Sequence, residues 1–291
     1  MNCIRITSEN IDNLGITTEK NIKQDKGREW LIENEVDIGC WQEIGCNWSL
    51  FRRRDRLASR LNCKAWDNLR VSTSHNQNEK YNKYQPGGTA TLTFGAITGT
   101  IQETGRDPTG LGRWSYTTYL GNKGKSTCVI SAYNPCKTKI TAPHTVYAQH
   151  SRYFLNQNID TCPREMFTHD LSIFLTSLEQ KHINVILCID LNEDITRQNG
   201  PLYQKLIKTN KLINAMTTIH PKLDPPATND QGSRPIDAIL ISASLQENIK
   251  TGWLPFGSGI GDHRIGFIDI NINTFIGKEK NEIASHKARK L

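Results

Sequence analysis

The chain has 291 residues, 36% of them hydrophobic, and a mean hydropathy of -0.54. That is enough apolar material for one large domain or two ordinary ones, while the longest apolar run, 185–189, falls far short of the roughly 18 residues of a membrane span. Lys+Arg 36 against Asp+Glu 29 leave a net charge of +7, and Met1-Asn2-Cys3-Ile4-Arg5 lacks the segments of a signal peptide. Membrane-spanning and secreted classes are therefore disfavoured, and an intracellular protein of nucleus or cytoplasm is expected.

From the N-terminus, runs rich in Ile, Val, Leu, Thr and Tyr between Gly, Asn, Pro and Asp clusters predict strands over 3–7, 37–41, 89–97, 116–120, 127–133, 184–191, 238–242 and 265–270. Helices are predicted over 20–34 and 201–211, and over 163–181, where Phe167, Leu171, Phe174, Leu175 and Leu178 recur at three-and-four spacing behind Pro163. The polar segment 72–85 reads as a long loop. Strand follows strand between 89 and 133, which favours an α/β fold with two packed sheets and helices outside over an alternating βαβ sheet. One domain spans 1–272, and 273–291 reads as a basic C-terminal tail. The eight cysteines form no C-x-x-C pair, so Cys40, Cys128 and Cys188 read as small buried hydrophobes in a reducing compartment.

Polar residues at the ends of apolar strands carry the chemistry. The run Asp37-Ile38-Gly39-Cys40-Trp41 ends in Gln42-Glu43, and Val185 to Ile189 ends in Asp190-Leu191-Asn192. At period two, Asp190 and Asn192 share a face, where an acceptor beside an amide can hold and deprotonate a water; an Asx turn closing the strand is the other reading. Asp237 opens a strand, and Gly261-Asp262-His263-Arg264 precedes one, which suits an oriented His–carboxylate pair. Gly124-Lys125-Ser126 lacks the earlier glycine of a P-loop and is set aside.

The order of these pieces is the informative feature. Asn10-Ile11-Asp12-Asn13-Leu14, Gln42-Glu43, Tyr133-Asn134-Pro135, Asp190-Leu191-Asn192, Ile236-Asp237 and Gly261-Asp262-His263 occur in turn. This sequence resembles the endonuclease/exonuclease/phosphatase (deoxyribonuclease I-like) superfamily, nearest to its apurinic-endonuclease-like and non-LTR retrotransposon-type endonuclease domains. The resemblance implies a four-layer α/β sandwich, two packed mixed sheets flanked by helices, with an active site at one end. It implies a Mg²⁺ site, with Mn²⁺ as substitute, built on Glu43 with Asn10 and Asp12 beside it and Asp262 in support. It implies catalytic roles for Tyr133, Asp190, Asn192, Asp237 and His263. Three positions depart from the family's usual residues: Asn13 for glycine, Ile189 for a small residue, and Gly261 for serine.

The activity so implied is metal-dependent phosphodiester hydrolysis, with nicking of DNA by a retroelement-type endonuclease as the first expectation. A phosphodiesterase or phosphatase acting on RNA or small phosphate esters is the second, and a catalytically silent nucleic-acid-binding descendant the third. Candidate contacts to nucleic acid are the basic stretch containing Arg52, Arg53 and Arg54, the 72–85 loop, Arg113, and Trp253 with the loop after it.

Overall fold

The computed structural model describes residues 3–17, 21–79, 82–137, 144–197, 200–247 and 249–277. The first half of the chain forms β1 (Cys3–Asn10), α1 (Ile22–Glu33), β2 (Ile38–Gln42), α2 (Leu57–Leu61), β3 (Leu69–Ser74), β4 (Thr89–Phe94), β5 (Ile101–Arg106), β6 (Trp114–Leu120) and β7 (Ser126–Tyr133). The second half forms α3 (Val146–Asn156), α4 (Pro163–Gln180), β8 (Ile183–Asp190), α5 (Pro201–Lys208), β9 (Leu212–Asn214), α6 (Ala215–Ile219), β10 (Asp237–Ser242), β11 (Ile249–Trp253), β12 (Gly266–Asn271) and α7 (Ile272–Phe275).

The strands form two six-stranded sheets, ordered β11-β12-β1-β2-β4-β3 and β5-β6-β7-β8-β10-β9. Each sheet is mixed: β1 runs parallel to β2 and β7 to β8, while the remaining pairs are antiparallel. Side-chain alternation gives each strand two faces. On β8, Ile186 and Cys188 enter the core between the sheets with Ile4, Ile6, Ile38, Val129, Ile239 and Ile268. Val185, Leu187 and Ile189 point the other way, onto Phe167, Leu171, Leu175 and Leu178 of α4. Pro163 begins that helix in its first turn, where its missing N–H costs nothing. Burying those four α4 side chains contributes roughly 6–12 kcal/mol, against which the entropy of ordering them is set. On the opposite outer face, Leu31 of α1 and Leu57 and Leu61 of α2 cover Trp41, Ala90 and Leu92. The result is the expected sandwich of helix, sheet, sheet and helix.

Several boundaries differ from the sequence expectations. The 72–85 segment is not all loop: β3 runs to Ser74 as an edge strand, and its polar residues hid it. The strand predicted over 89–97 stops at Phe94, where Gly95 takes a positive φ and a 3-10 turn follows. The short or polar elements α2, α3, β5, β9 and β11 lack a clean apolar period and were not foreseen. Residues 273–277 belong to the fold, since Phe275 of α7 is buried in the inter-sheet core; the rest of the expected basic tail, 278–291, lies outside the described residues. Among the described residues no helix is long and apolar enough to cross a membrane.

Candidate active site

At one end of the sandwich the inner rows of both sheets change from apolar to polar. Ile4 and Ile6 give way to Ser8 and Asn10 on β1, and Ile38 and Cys40 to Gln42 on β2. Likewise Val129 gives way to Ser131 and Tyr133 on β7, Ile186 and Cys188 to Asp190 on β8, and Ile241 and Ile239 to Asp237 on β10. Register aligns these ends: Asn10 lies opposite Gln42, and Asp190 is flanked by Tyr133 and Asp237. Asn10, Asp190, Asp237 and His263 are all buried. Polar groups so enclosed must find partners, and here the partners lie across the gap between the sheets.

Side-chain hydrogen bonds bridge that gap. Asn10 donates through Nδ2 to Asp190 Oδ2 and to Glu43 Oε2, each at 2.9 Å. The Tyr133 hydroxyl donates to Glu43 Oε1 at 2.8 Å. His263, just before β12, holds Asp237 Oδ2 at 2.7 Å through Nδ1. Behind them Gln42 donates to Ser131 Oγ at 3.1 Å. Donor atoms of Asp190, Asp237 and His263 lie within 4.8 Å of one another.

The crowding of carboxylates in a dry site shifts their protons. Burial, then the nearby Asp237 charge, pushes the Asp190 carboxyl up to about 8. Burial pulls His263 down, but the adjoining Asp237 carboxylate overrides it and raises the ring to about 10, so it is an imidazolium at neutral pH. Burial, followed by the Glu43 and Asp190 charges, drives the Tyr133 phenol well up, which keeps it a donor.

The remaining predicted residues sit around this centre. Asn192 donates its backbone N–H to Asp190 Oδ1 at 2.8 Å and its side-chain Nδ2 to the Asn134 carbonyl at 2.8 Å. Asp12 is exposed on the rim, and its N–H donates to Asn10 Oδ1 at 3.0 Å. Asp262 is half-buried and accepts from Asn229 Nδ2 at 3.2 Å. Asp12, Asn13, Glu43 and Asn192 all have positive φ, a concentration of uncommon backbone conformations at one place. The carboxylates of Glu43 and Asp12 are hard oxygen donors of the kind that Mg²⁺ and Mn²⁺ take, and the proton held on Asp190 marks an excess of negative charge that a divalent cation would relieve. The chemistry of these donors suits such an ion, and Asn10 orients Glu43 and Asp190 through its amide; among the described residues, however, the group of three close enough to share one ion is Asp190, Asp237 and His263, and not Glu43 with Asp12 and Asp262.

No family profile and no curated protein matches the chain in sequence. Solved structures do match in shape. The AP endonuclease LMAP from Leishmania major superposes with a TM-score of 0.67 at 13% identity, covering 92% of this chain and 88% of that one. The Xenopus laevis APE2 catalytic domain gives 0.66 at 17% identity, covering 92% of each chain. The human Nocturnin catalytic domain, solved with a bound sulfate anion, gives 0.58 at 17% identity, again covering 92% of each. The chain has the deoxyribonuclease I-like fold.

Within that fold the three sequence departures have local explanations. Asn13 has φ 66°, a left-handed conformation that asparagine tolerates nearly as glycine does. Ile189 points away from the site into the α4 layer, so its bulk is used in packing. Gly261 lies against the backbone of Asn10 and Ile11, where a Cβ would fall on the Asn10 carbonyl oxygen. Serine has no room there.

The nucleic-acid candidates separate. Arg52, Arg53 and Arg54 are exposed, Arg52 pairing with Asp55 at 2.7 Å. Arg113 is instead interior: its fully buried guanidinium pairs with Asp107 at 2.7 Å and Asp170 at 2.8 Å, so the expectation of a phosphate contact is corrected to a structural ion pair. Trp253 ends β11 with its ring packed over Gly266.

Sequence reasoning missed two supports. Glu9 is buried and accepts the N–H groups of Ile260 (2.6 Å) and Gly261 (2.9 Å), fixing the loop that leads to His263; burial lifts its carboxyl to about 7. Thr228 Oγ1 accepts from the N–H of Ile236 and of Asp237, while its carbonyl accepts from Arg264 N–H, so one residue positions both members of the His263–Asp237 pair. Glu9 lay just past the apolar part of its strand and Thr228 lay in no motif; neither gave a signal.

Proposed function

We propose that the chain is a metal-dependent phosphodiester hydrolase that nicks DNA. The observation that carries this reading is the buried group of Asp190, Asp237 and His263 within 4.8 Å, linked through Asn10 to Glu43. A binding module has no evident need to enclose carboxylates beside a polyanion, so the silent-descendant alternative is disfavoured. One of the structural neighbours, LMAP, is an AP endonuclease by name, which supports nucleic acid as the substrate class. The Gly110 to Trp114 and Arg234 to Asp237 segments support the retroelement-type branch by resemblance, and RNA or small phosphate esters are the alternative substrates.

Glu43 and Asp12 hold the cation in this reading, with Asn10 and Asp262 in support. Such an ion supplies positive charge that polarises a phosphoryl oxygen and neutralises its carboxylate surroundings. Asn192, whose Nδ2 is occupied by the Asn134 carbonyl, offers Oδ1 to orient a water. Asp190 in its ionised form takes a proton from that water as the oxygen bonds to phosphorus, the ester P–O bond breaks, and the leaving alkoxide takes a proton from solvent. The His263 imidazolium, held by Asp237, stabilises the charge that grows on the phosphoryl oxygens, a contribution on the order of 2–4 kcal/mol in a dry site. Tyr133 keeps the Glu43 carboxylate aligned.

Nicking of supercoiled plasmid DNA with Mg²⁺ tests this. The wild type nicks only with the metal, and Asp190→Asn and His263→Gln each lose about 10²-fold or more in rate while staying folded. Metal-independent nicking, or variants as active as wild type, would overturn the assignment; a folded, inactive wild type moves the test to RNA and small esters.

A further inference from the structure

Each sheet has two edge strands, β11 and β3 in one and β5 and β9 in the other, and three of these edges are blunted against further pairing. β9 is only three residues long. β5 breaks register between Ile101 and Glu103, a bulge that spoils the ladder for a neighbour. On β11 the Thr251 carbonyl accepts from His220 Nε2 at 3.0 Å, with α6 lying alongside. β3 carries none of these devices. It keeps continuous register with β4 over all six residues, Leu69 to Ser74, and its one charge is Arg70. Among the described residues no hydrogen bond reaches the backbone groups on its free side. A regular strand left open in this way is a template for another strand.

A cavity of about 780 Å³ runs round that free edge. Val71 packs on the cluster that holds Leu57 and Leu61 of α2, on the helix-layer side of the strand. Ser72 points the other way and donates through Oγ to the Gly105 carbonyl at 2.9 Å. The cavity is lined by Val71 and Thr73 on the first side and by Arg106, next after Gly105, on the second, so it passes beside the β3 backbone between them. Its helix-layer wall is apolar, from Leu50, Ala58 and Val71. Its rim is basic. Arg56 and Arg106 are exposed, and the carboxylate that lines the cavity, Glu79, is paired with Arg152 at 2.8 Å, so its charge is compensated.

We infer that this edge is a docking site for an extended, acidic segment of a partner protein, which adds to β3 as a further strand. Main-chain hydrogen bonds to the open backbone hold such a segment, and its alternate side chains select it. Residues turned to the helix layer meet Leu50, Ala58 and Val71, so apolar side chains fit there. Those turned the other way, or flanking the paired stretch, meet Arg106 and Arg56, which favour Asp or Glu. The same charge argues against a second copy of this chain, since two β3 edges brought together set these arginines and Arg70 against their own copies. A nucleic acid has phosphates for the arginines but no peptide backbone to complete the β3 ladder. None of this depends on the nuclease reading.

Fluorescence anisotropy of the full chain tests the docking, with a labelled peptide of alternating glutamate and valine about eight residues long, enough to pair with the whole of β3. It should bind roughly tenfold or more tightly than its lysine–valine counterpart, and Arg56→Ala/Arg106→Ala should remove most of that preference. Both arginines are exposed, so the variant stays folded. N-methylation of alternate amides removes the donors on one side of the peptide. One of the two alternate sets faces β3, so methylating it lowers affinity about tenfold or more while methylating the other changes it little. Hydrogen exchange gives the matching readout on the protein: the outward amides of 69–74 exchange about tenfold or more slowly with the peptide bound. No binding at millimolar peptide, equal effects of the two methylated sets, or unchanged exchange in β3 overturns the inference. Binding of a single-stranded oligothymidylate in place of the peptide, lost in the same arginine variant, would assign the rim to nucleic acid and overturn it as well.

Discussion

Replacing Asp190 by asparagine should make the metal-free protein more stable at neutral pH while removing the proposed activity. The carboxyl is held at about 8 in the fold, against an ordinary value of 3.8, first by burial and then by Asp237. An acid whose folded pKa is raised favours the native state when protonated, and that benefit is lost as pH climbs from about 4 to about 8. At pH 7 roughly three units of that gap have been crossed, and at 1.36 kcal/mol per unit the wild type carries a penalty on the order of 4 kcal/mol. Asparagine removes the charge but cannot accept from both Asn192 N–H and Asn10 Nδ2, as Asp190 does; the lost hydrogen bond costs about 1–3 kcal/mol. The net gain of about 1–3 kcal/mol corresponds to a Tm roughly 3–10 °C higher for a chain of this size. At pH 5 the penalty is only about 1.5 kcal/mol, so the variant gains nothing or is the less stable. Thermal unfolding in EDTA at pH 5 and pH 7, followed by circular dichroism, measures both. A Tm difference that does not change between the two pH values would refute the crowding argument, and added Mg²⁺ should narrow the gap at pH 7 by stabilising the wild type.

Two other perturbations test the interior. Arg113→Met leaves Asp107 buried without its cation, so denaturant unfolding should show a loss of about 3–5 kcal/mol; a surface phosphate contact would lose nothing. His150 is buried beside Arg113 and held down at about 3, first by burial and then by that charge. A histidine so depressed leaves stability intact above the ordinary value of 6.5 and withdraws it as pH falls, because the unfolded chain takes the proton first; by pH 4 the loss is on the order of 3 kcal/mol. His150→Gln should flatten the stability profile between pH 6.5 and 4, and parallel profiles for the two proteins would sink the argument.

Much of this site was legible in the sequence because its residues end apolar strands. Asp190 follows five buried residues of a central strand, and packing alone does not call for a carboxylate there. Gln42-Glu43 and Asp237 were visible for the same reason. The sheet order was less legible: β3 and β5 are edge strands with polar or half-exposed sides, and their alternation is too weak to tell from a loop. Arg113 shows the limit of reading charge without depth, since an arginine after Gly-Leu-Gly looks available until Asp107 and Asp170 are seen to enclose it. Glu9 and Thr228 act through backbone N–H groups distant in sequence, a kind of contact that leaves no spacing to recognise.

The cross-sheet connections at the active end have a consequence for how this protein fails. Asn10 and Glu43 belong to one sheet, Asp190, Tyr133 and Asp237 to the other, and His263 returns from the first to meet Asp237. No single sheet contains a complete reactive centre. A lesion deep in the shared core, such as a cavity at Ile186 or Ile268 far along the strands, is expected to loosen the seating of the two sheets and so to be felt where Asn10 meets Asp190, without touching a polar residue. On the proposed function, turnover becomes a gauge of how well two hydrophobic faces are seated, and damage to the core should show first as lost turnover and only later as lost folding.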